Sequence, residues 1–114
     1  MELAFESLSL EEKGALAELK QVLNEMLGDR LAKYALFGSK ARGDFSADSD
    51  LDVAIIVRDL TGSQKRQILQ KVAEIELEHL LPMSTLVLSE NYYEHLKNRE
   101  RRLALDIERE GISL

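Results

Sequence analysis

Apolar positions along the chain follow two alternating periodicities. Leu16, Leu19, Val22, Leu23 and Met26 recur at helical spacing, Ser9 and Glu12 ahead of them read as a capping box, and Gly28 offers a stop. This pattern predicts a helix over 9–27. Leu31 to Phe37 is short, apolar and aromatic and predicts a strand; Asp50 to Val57 predicts a second. Ile55, Ile56 and Val57 are consecutive, so that second strand should be buried on both faces. Thr61, Gly62 and Ser63 read as turn and cap for a helix over 64–81, with Ile68, Leu69, Val72, Ile75 and Leu80 as its stripe and Pro82 at its end. Ser84 to Leu88 predicts a third strand, Ser89 caps a helix from Glu90, and Arg99 to Glu110 reads as a charged helix closed by Gly111. The order α-β-β-α-β-α-α, without internal repeats, predicts one domain over 1–114. Its class is α/β or α+β, a small sheet of about three strands layered with helices.

Composition narrows the partners. With 45% hydrophobic and 32% charged residues among 114, one core and a heavily charged surface are expected. No cysteine is present, which excludes disulfides and thiolate metal ligands. No apolar run approaches the roughly 20 residues of a membrane span. The opening MELAFESLSLEEK lacks a basic region followed by an apolar one, so a cytoplasmic protein is expected. The net charge of −6 disfavours general binding to a nucleic-acid backbone. A nucleotide would have to be held locally, with a metal's help.

The stretch from Gly38 to Asp52, GSKARGDFSADSDLD, carries the candidate chemistry. Asp50 and Asp52 are two apart in a predicted strand, so both carboxylates share a face with Cβ atoms about 7 Å apart. Such a pair repels unless a cation lies between its members, and Mg²⁺ favours hard oxygen ligands. Gly38 and Ser39 close the preceding strand, where a tight turn into a short helix would present backbone N–H groups and a hydroxyl to an anion. Lys40 and Arg42 add positive charge, and Arg42 suits phosphate oxygens. A solvated turn is the usual meaning of Asp-x-Asp alone. The joint pattern points instead to the two halves of a nucleoside triphosphate site.

Gly38-Ser39, ten intervening residues and Asp50-Leu51-Asp52 resemble the signature of the polymerase-β-like nucleotidyltransferases. The fuller Gly38-Ser39-Lys40-Ala41-Arg42-Gly43 with Ser49-Asp50-Leu51-Asp52 is similar to their small prokaryotic branch, the MNT or minimal nucleotidyltransferases. The resemblance implies a mixed sheet flanked by helices and Mg²⁺-dependent nucleotidyl transfer from a triphosphate such as ATP. Gly38 and Ser39 would hold the triphosphate with Arg42 in support, and Asp50 and Asp52 would ligate metal. It also implies an antitoxin paired with a HEPN-domain toxin in a type VII-like system, some members moving AMP onto a toxin tyrosine. The family often carries a third carboxylate on the strand after the long helix. Here Ser84 or Thr85 stands in that place; Asp44, Asp48 and Glu90 are the candidates to compensate, and spacing selects none.

The remaining candidates read as structural. His79 and His95 lie on different predicted helices with no partner at metal-ligand spacing. Tyr92 and Tyr93 read as packing residues, and Arg99, Arg101 and Arg102 as a solvated helix face. Two functions remain: protein adenylyltransfer, or neutralisation of a toxin by contact through the same fold. A small-molecule transferase is weaker, because a short chain leaves little room for an acceptor pocket. A homo- or hetero-oligomer is left open.

Overall fold

A computed structural model describes residues 6, 8–43 and 50–114. The first long helix, α1, spans Leu10–Leu27 behind Ser9, whose Oγ accepts from the Glu12 N–H while Glu12 accepts from the Ser9 N–H, so the capping box is complete. Gly28, at φ 55°, ends it. Strand β1 is Leu31–Phe37, followed at once by a short helix, α2, Gly38–Arg42. Strand β2 is Leu51–Val57 and helix α3 is Gly62–His79, opened by a Thr61–Gln64 capping box. Strand β3, Met83–Ser89, leads through a Ser89 cap into helix α4, Glu90–Asn98. Helix α5 is Arg102–Glu110 and strand β4 is Ile112–Ser113.

The sheet has four strands in the order β3-β2-β1-β4. Strand β1 runs antiparallel to both β2 and β4, whereas β2 and β3 are parallel. The parallel pair needs a crossover, and α3 supplies it. Strand β2 is central and buried on both faces, as its continuous apolar run predicted. Leu51, Val53, Ile55 and Val57 pack with Leu16, Leu19 and Leu23 of α1 and Ile68, Val72 and Ile75 of α3. Ala54 and Ile56 face the other way, against Tyr93 of α4 and Ala104 and Ile107 of α5. The result is a sheet between two helical layers.

Three expectations are revised. The two expected C-terminal helices are present, but the second starts at Arg102 and not at Arg99: the chain turns between Asn98 and Arg102, with Glu100 at φ 54° and the Arg101 N–H turned to the Leu96 carbonyl. Beyond Gly111 the chain does not simply stop, because Ile112 and Ser113 pair with Leu36 and Ala35 and add the fourth strand. Helix α3 ends at His79, two residues earlier than expected, through Leu80 in the left-handed region at φ 53°.

Candidate functional site

Strand register places the candidate residues in one row. Phe37 of β1 is opposite Asp52 of β2, and Asp52 is opposite Ser84 of β3. Gly38 follows Phe37, so the turn after β1 and the acidic start of β2 meet at the same end of the sheet. The contact is close: a Cβ built on Gly38 would lie 2.3 Å from Asp52 Oδ2, and Gly38 sits at φ 75°. Only glycine accepts both conditions without displacement. Asp52 occupies the face of β2 that Ala54 and Ile56 use further along. At the strand's beginning its carboxylate is half-buried.

Asp50 lies one residue before β2 rather than within it, and is exposed. Burial and then the nearby Asp50 charge push the Asp52 carboxyl above its usual range, while Arg42 and the Ser84 hydroxyl pull against that rise. An acidic pair of this kind, with one member partly buried, stabilises a cation placed between them. Mg²⁺ fits the donor set present: two carboxylates and a hydroxyl, all hard oxygens. Of the two candidates for the third-carboxylate position, the register selects Ser84 as the neighbour of Asp52; Thr85 is opposite Val53.

Helix α2 divides its two cations. Lys40 does not serve the site, contrary to the sequence-based expectation: it is buried, with Nζ 2.6 Å from Glu12 Oε2 on α1. Burial acts to raise the Glu12 carboxyl, but the Lys40 ammonium and the Ser9 N–H outweigh it and hold it below its usual range. Residues two apart on a helix project in different directions, so Arg42 emerges where Lys40 turns inward. The Arg42 guanidinium is 3.1 Å from Glu110 Oε2 at the end of α5 and also acts on Asp52. Arg42 therefore stands beside Asp52, and Glu110 is a neighbour that local sequence gave no means of finding. Ser39 stands in the first turn of α2, whose N-cap residue Phe37 makes no side-chain cap bond.

Of the proposed compensating acids, Asp44 and Asp48 lie outside the described residues, as does Ser49. Glu90 is excluded by position. It follows Ser89, which is paired with Val57 at the opposite end of β2, about 16 Å of strand from Asp52, and it pairs with Arg58 at 3.4 Å. His79 also departs from expectation: its ring nitrogens meet Glu11 and Glu18, from a helix far away in sequence. Tyr93 does pack, buried at 3% exposure with its hydroxyl donating to Glu108, whereas Tyr92 is exposed. Among the described residues no helix is long and apolar enough to cross a membrane.

Comparison with known proteins decides the family. The Nucleotidyltransferase domain family matches residues 16–110. The chain belongs to that family. Its enzyme class is nucleotidyltransferase. The chain is 34% identical over 71 residues to "Putative protein adenylyltransferase MJ0141" of Methanocaldococcus jannaschii, covering 61% of this chain and 72% of the relative. It is 38% identical over 47 residues to "Putative protein adenylyltransferase MJ0604" of the same organism, covering 41% of this chain and 47% of that relative. A crystal structure described as a putative nucleotidyltransferase from Sulfolobus solfataricus aligns over 94% of this chain and 88% of that one, at 15% identity and a TM-score of 0.45. A likeness at that level adds no weight to fold or function.

Proposed function

We propose that this nucleotidyltransferase moves AMP from ATP to a hydroxyl of a protein, and that the acceptor is a tyrosine of a HEPN-domain toxin for which the chain is the antitoxin. The observation that carries the reading is the fit of Gly38 against Asp52, which brings an anion-holding turn and an acidic pair to one sheet end. The two relatives described as protein adenylyltransferases support a protein acceptor.

In this reading the Ser39 hydroxyl and the N–H groups opening α2 bind the triphosphate, and Arg42 contributes a planar cation for its oxygens. Asp50 and Asp52 would hold Mg²⁺, which when bound neutralises charge on the phosphates and the departing pyrophosphate. The acceptor oxygen attacks the α-phosphorus, the bond from that phosphorus to the bridging oxygen of the β-phosphate breaks, and pyrophosphate leaves. The hydroxyl proton passes to a carboxylate of the pair, since Ser84 is uncharged and cannot take it. Gly38 keeps the turn close enough for the phosphates and the pair to act on one ligand.

Ser84 favours a second reading, in which the same fold neutralises the toxin by contact with little or no turnover. A serine next to Asp52 supplies a hydroxyl where a third carboxylate would add charge and a base. One experiment separates the two. The purified chain is incubated with the product of its neighbouring gene, α-labelled ATP and Mg²⁺, beside an Asp50→Asn/Asp52→Asn variant. Label on the partner that disappears in the variant supports transfer. An unlabelled partner that the variant still neutralises supports the contact reading.

A further inference from the structure

We infer that the chain carries a second cation site, of the zinc class and separate from Asp50 and Asp52, formed where α1 meets the C-terminal end of α3. Glu18 of α1 and Glu78 and His79 of α3 each present one ligand atom, and these atoms lie within 4.8 Å of one another. Glu18 Oε1 is 2.8 Å from His79 Nε2, and Glu78 Oε2 is 3.8 Å from the same nitrogen. Zinc ligands at about 2.0–2.2 Å from the metal stand about 3.3–3.6 Å apart in a tetrahedral site, so the ion would enter by opening the Glu18–His79 hydrogen bond by roughly half an ångström.

The cluster differs from an ordinary patch of surface acids in its nitrogen donor and in the way that donor is held. Glu11, two turns earlier on α1 than Glu18, engages the other ring nitrogen, Nδ1. A carboxylate accepting from Nδ1–H orients the ring, and Nε2, which meets Glu18, is the atom where a metal would replace the proton, the arrangement in which histidine ligands are usually supported. The His79 side chain is 15% exposed, so the ring is held between the helices and not free in solvent. Position adds to this. Glu78 and His79 occupy the last turn of an 18-residue helix, the negative end of its dipole, where cations are stabilised.

Ligand chemistry sets the cation. An imidazole with carboxylates selects zinc and its transition-metal neighbours, while Mg²⁺ takes oxygen donors and octahedral geometry. The ion would replace the proton on Nε2, with water completing its shell. It would join α1 to α3, the two helices that cover one face of the sheet.

The test is a titration of the metal-free, untagged full chain with Zn²⁺ against a competing chromophoric chelator, with Mg²⁺ present throughout. The expected result is one Zn²⁺ per chain, retained in Asp50→Asn/Asp52→Asn and lost in His79→Gln and Glu18→Gln. Glu11→Gln should weaken binding by about 10- to 100-fold, the usual cost of removing a carboxylate behind a histidine ligand. Should His79→Gln fail to fold, Glu78→Gln, whose side chain is 61% exposed, is the variant that must weaken binding. No Zn²⁺ binding, or binding unchanged in the folded His79 or Glu78 variant, would mean an ion-pair cluster only and overturn the site. Loss of Zn²⁺ from the Asp50/Asp52 variant would place the ion elsewhere and overturn it equally. None of these outcomes bears on nucleotidyl transfer, which the double aspartate variant tests separately.

Discussion

At Gly38 an added methyl group would lie 2.3 Å from Asp52 Oδ2, and the backbone φ of 75° is costly for any other residue. Gly38→Ala should therefore lose about 1–2 kcal/mol of stability from backbone conformation. It should lose about 100-fold in transfer, because a small displacement misplaces reacting groups. A urea midpoint beside a label-transfer assay measures both, and unchanged transfer in a folded variant would contradict the role given to this contact. Ser84 gives a second expectation at this scale. Ser84→Asp adds a carboxylate beside one already raised by burial and by Asp50, so its thermal midpoint in chelator should fall and Mg²⁺ should restore it. Indifference to Mg²⁺ would count against a cation there. The closeness of Gly38 and Asp52 was legible in the sequence, because both flank strands of strong pattern. The direction of Lys40 was not: it depends on Glu12, which lies 28 residues away.

Helices α1 and α2 are joined by that Lys40–Glu12 pair, so the element carrying Gly38 and Ser39 is anchored to the core through a buried charge. Lys40→Met leaves the Glu12 carboxylate buried without it and should cost about 3–5 kcal/mol, read as a shift in urea midpoint. The pH dependence follows from the depressed Glu12 carboxyl. A group with a lowered folded pKa adds stability above its unfolded value, and this is lost as pH falls through the folded one. The advantage of wild type over Glu12→Gln should be complete near neutrality and shrink as pH drops below about 4.3. A gap independent of pH would contradict the pairing. Element boundaries followed the caps well wherever Ser9, Thr61 or Ser89 opened a helix. The start of α5 at Arg102, three residues later than expected, went unseen because the chain turns at Glu100 without glycine or proline. Strand β4 went unseen because two residues make no pattern of their own; they are a strand only through Ala35 and Leu36.

For the whole molecule, the sheet order β3-β2-β1-β4 makes β2 central and collects Gly38, Asp52 and Ser84 at one end. The sequence could announce the ligand chemistry of that end through its glycine, serine and aspartates. It could not announce that Ser84 would be the neighbour of Asp52, since parallel register is a property of the assembled sheet. Nor could it bring Glu11 and Glu18 to His79, which needs α1 and α3 packed together. The central claim is that the Gly38–Ser39 turn and the Asp50–Asp52 pair form one metal-dependent triphosphate site. Calorimetric titration of a non-hydrolysable ATP analogue tests it most directly, because no partner is required. The expected result is binding to the wild-type chain with Mg²⁺, and affinity reduced about tenfold or more by chelator, by Gly38→Ala and by Asp50→Asn/Asp52→Asn. Equal affinity in all four conditions would contradict it.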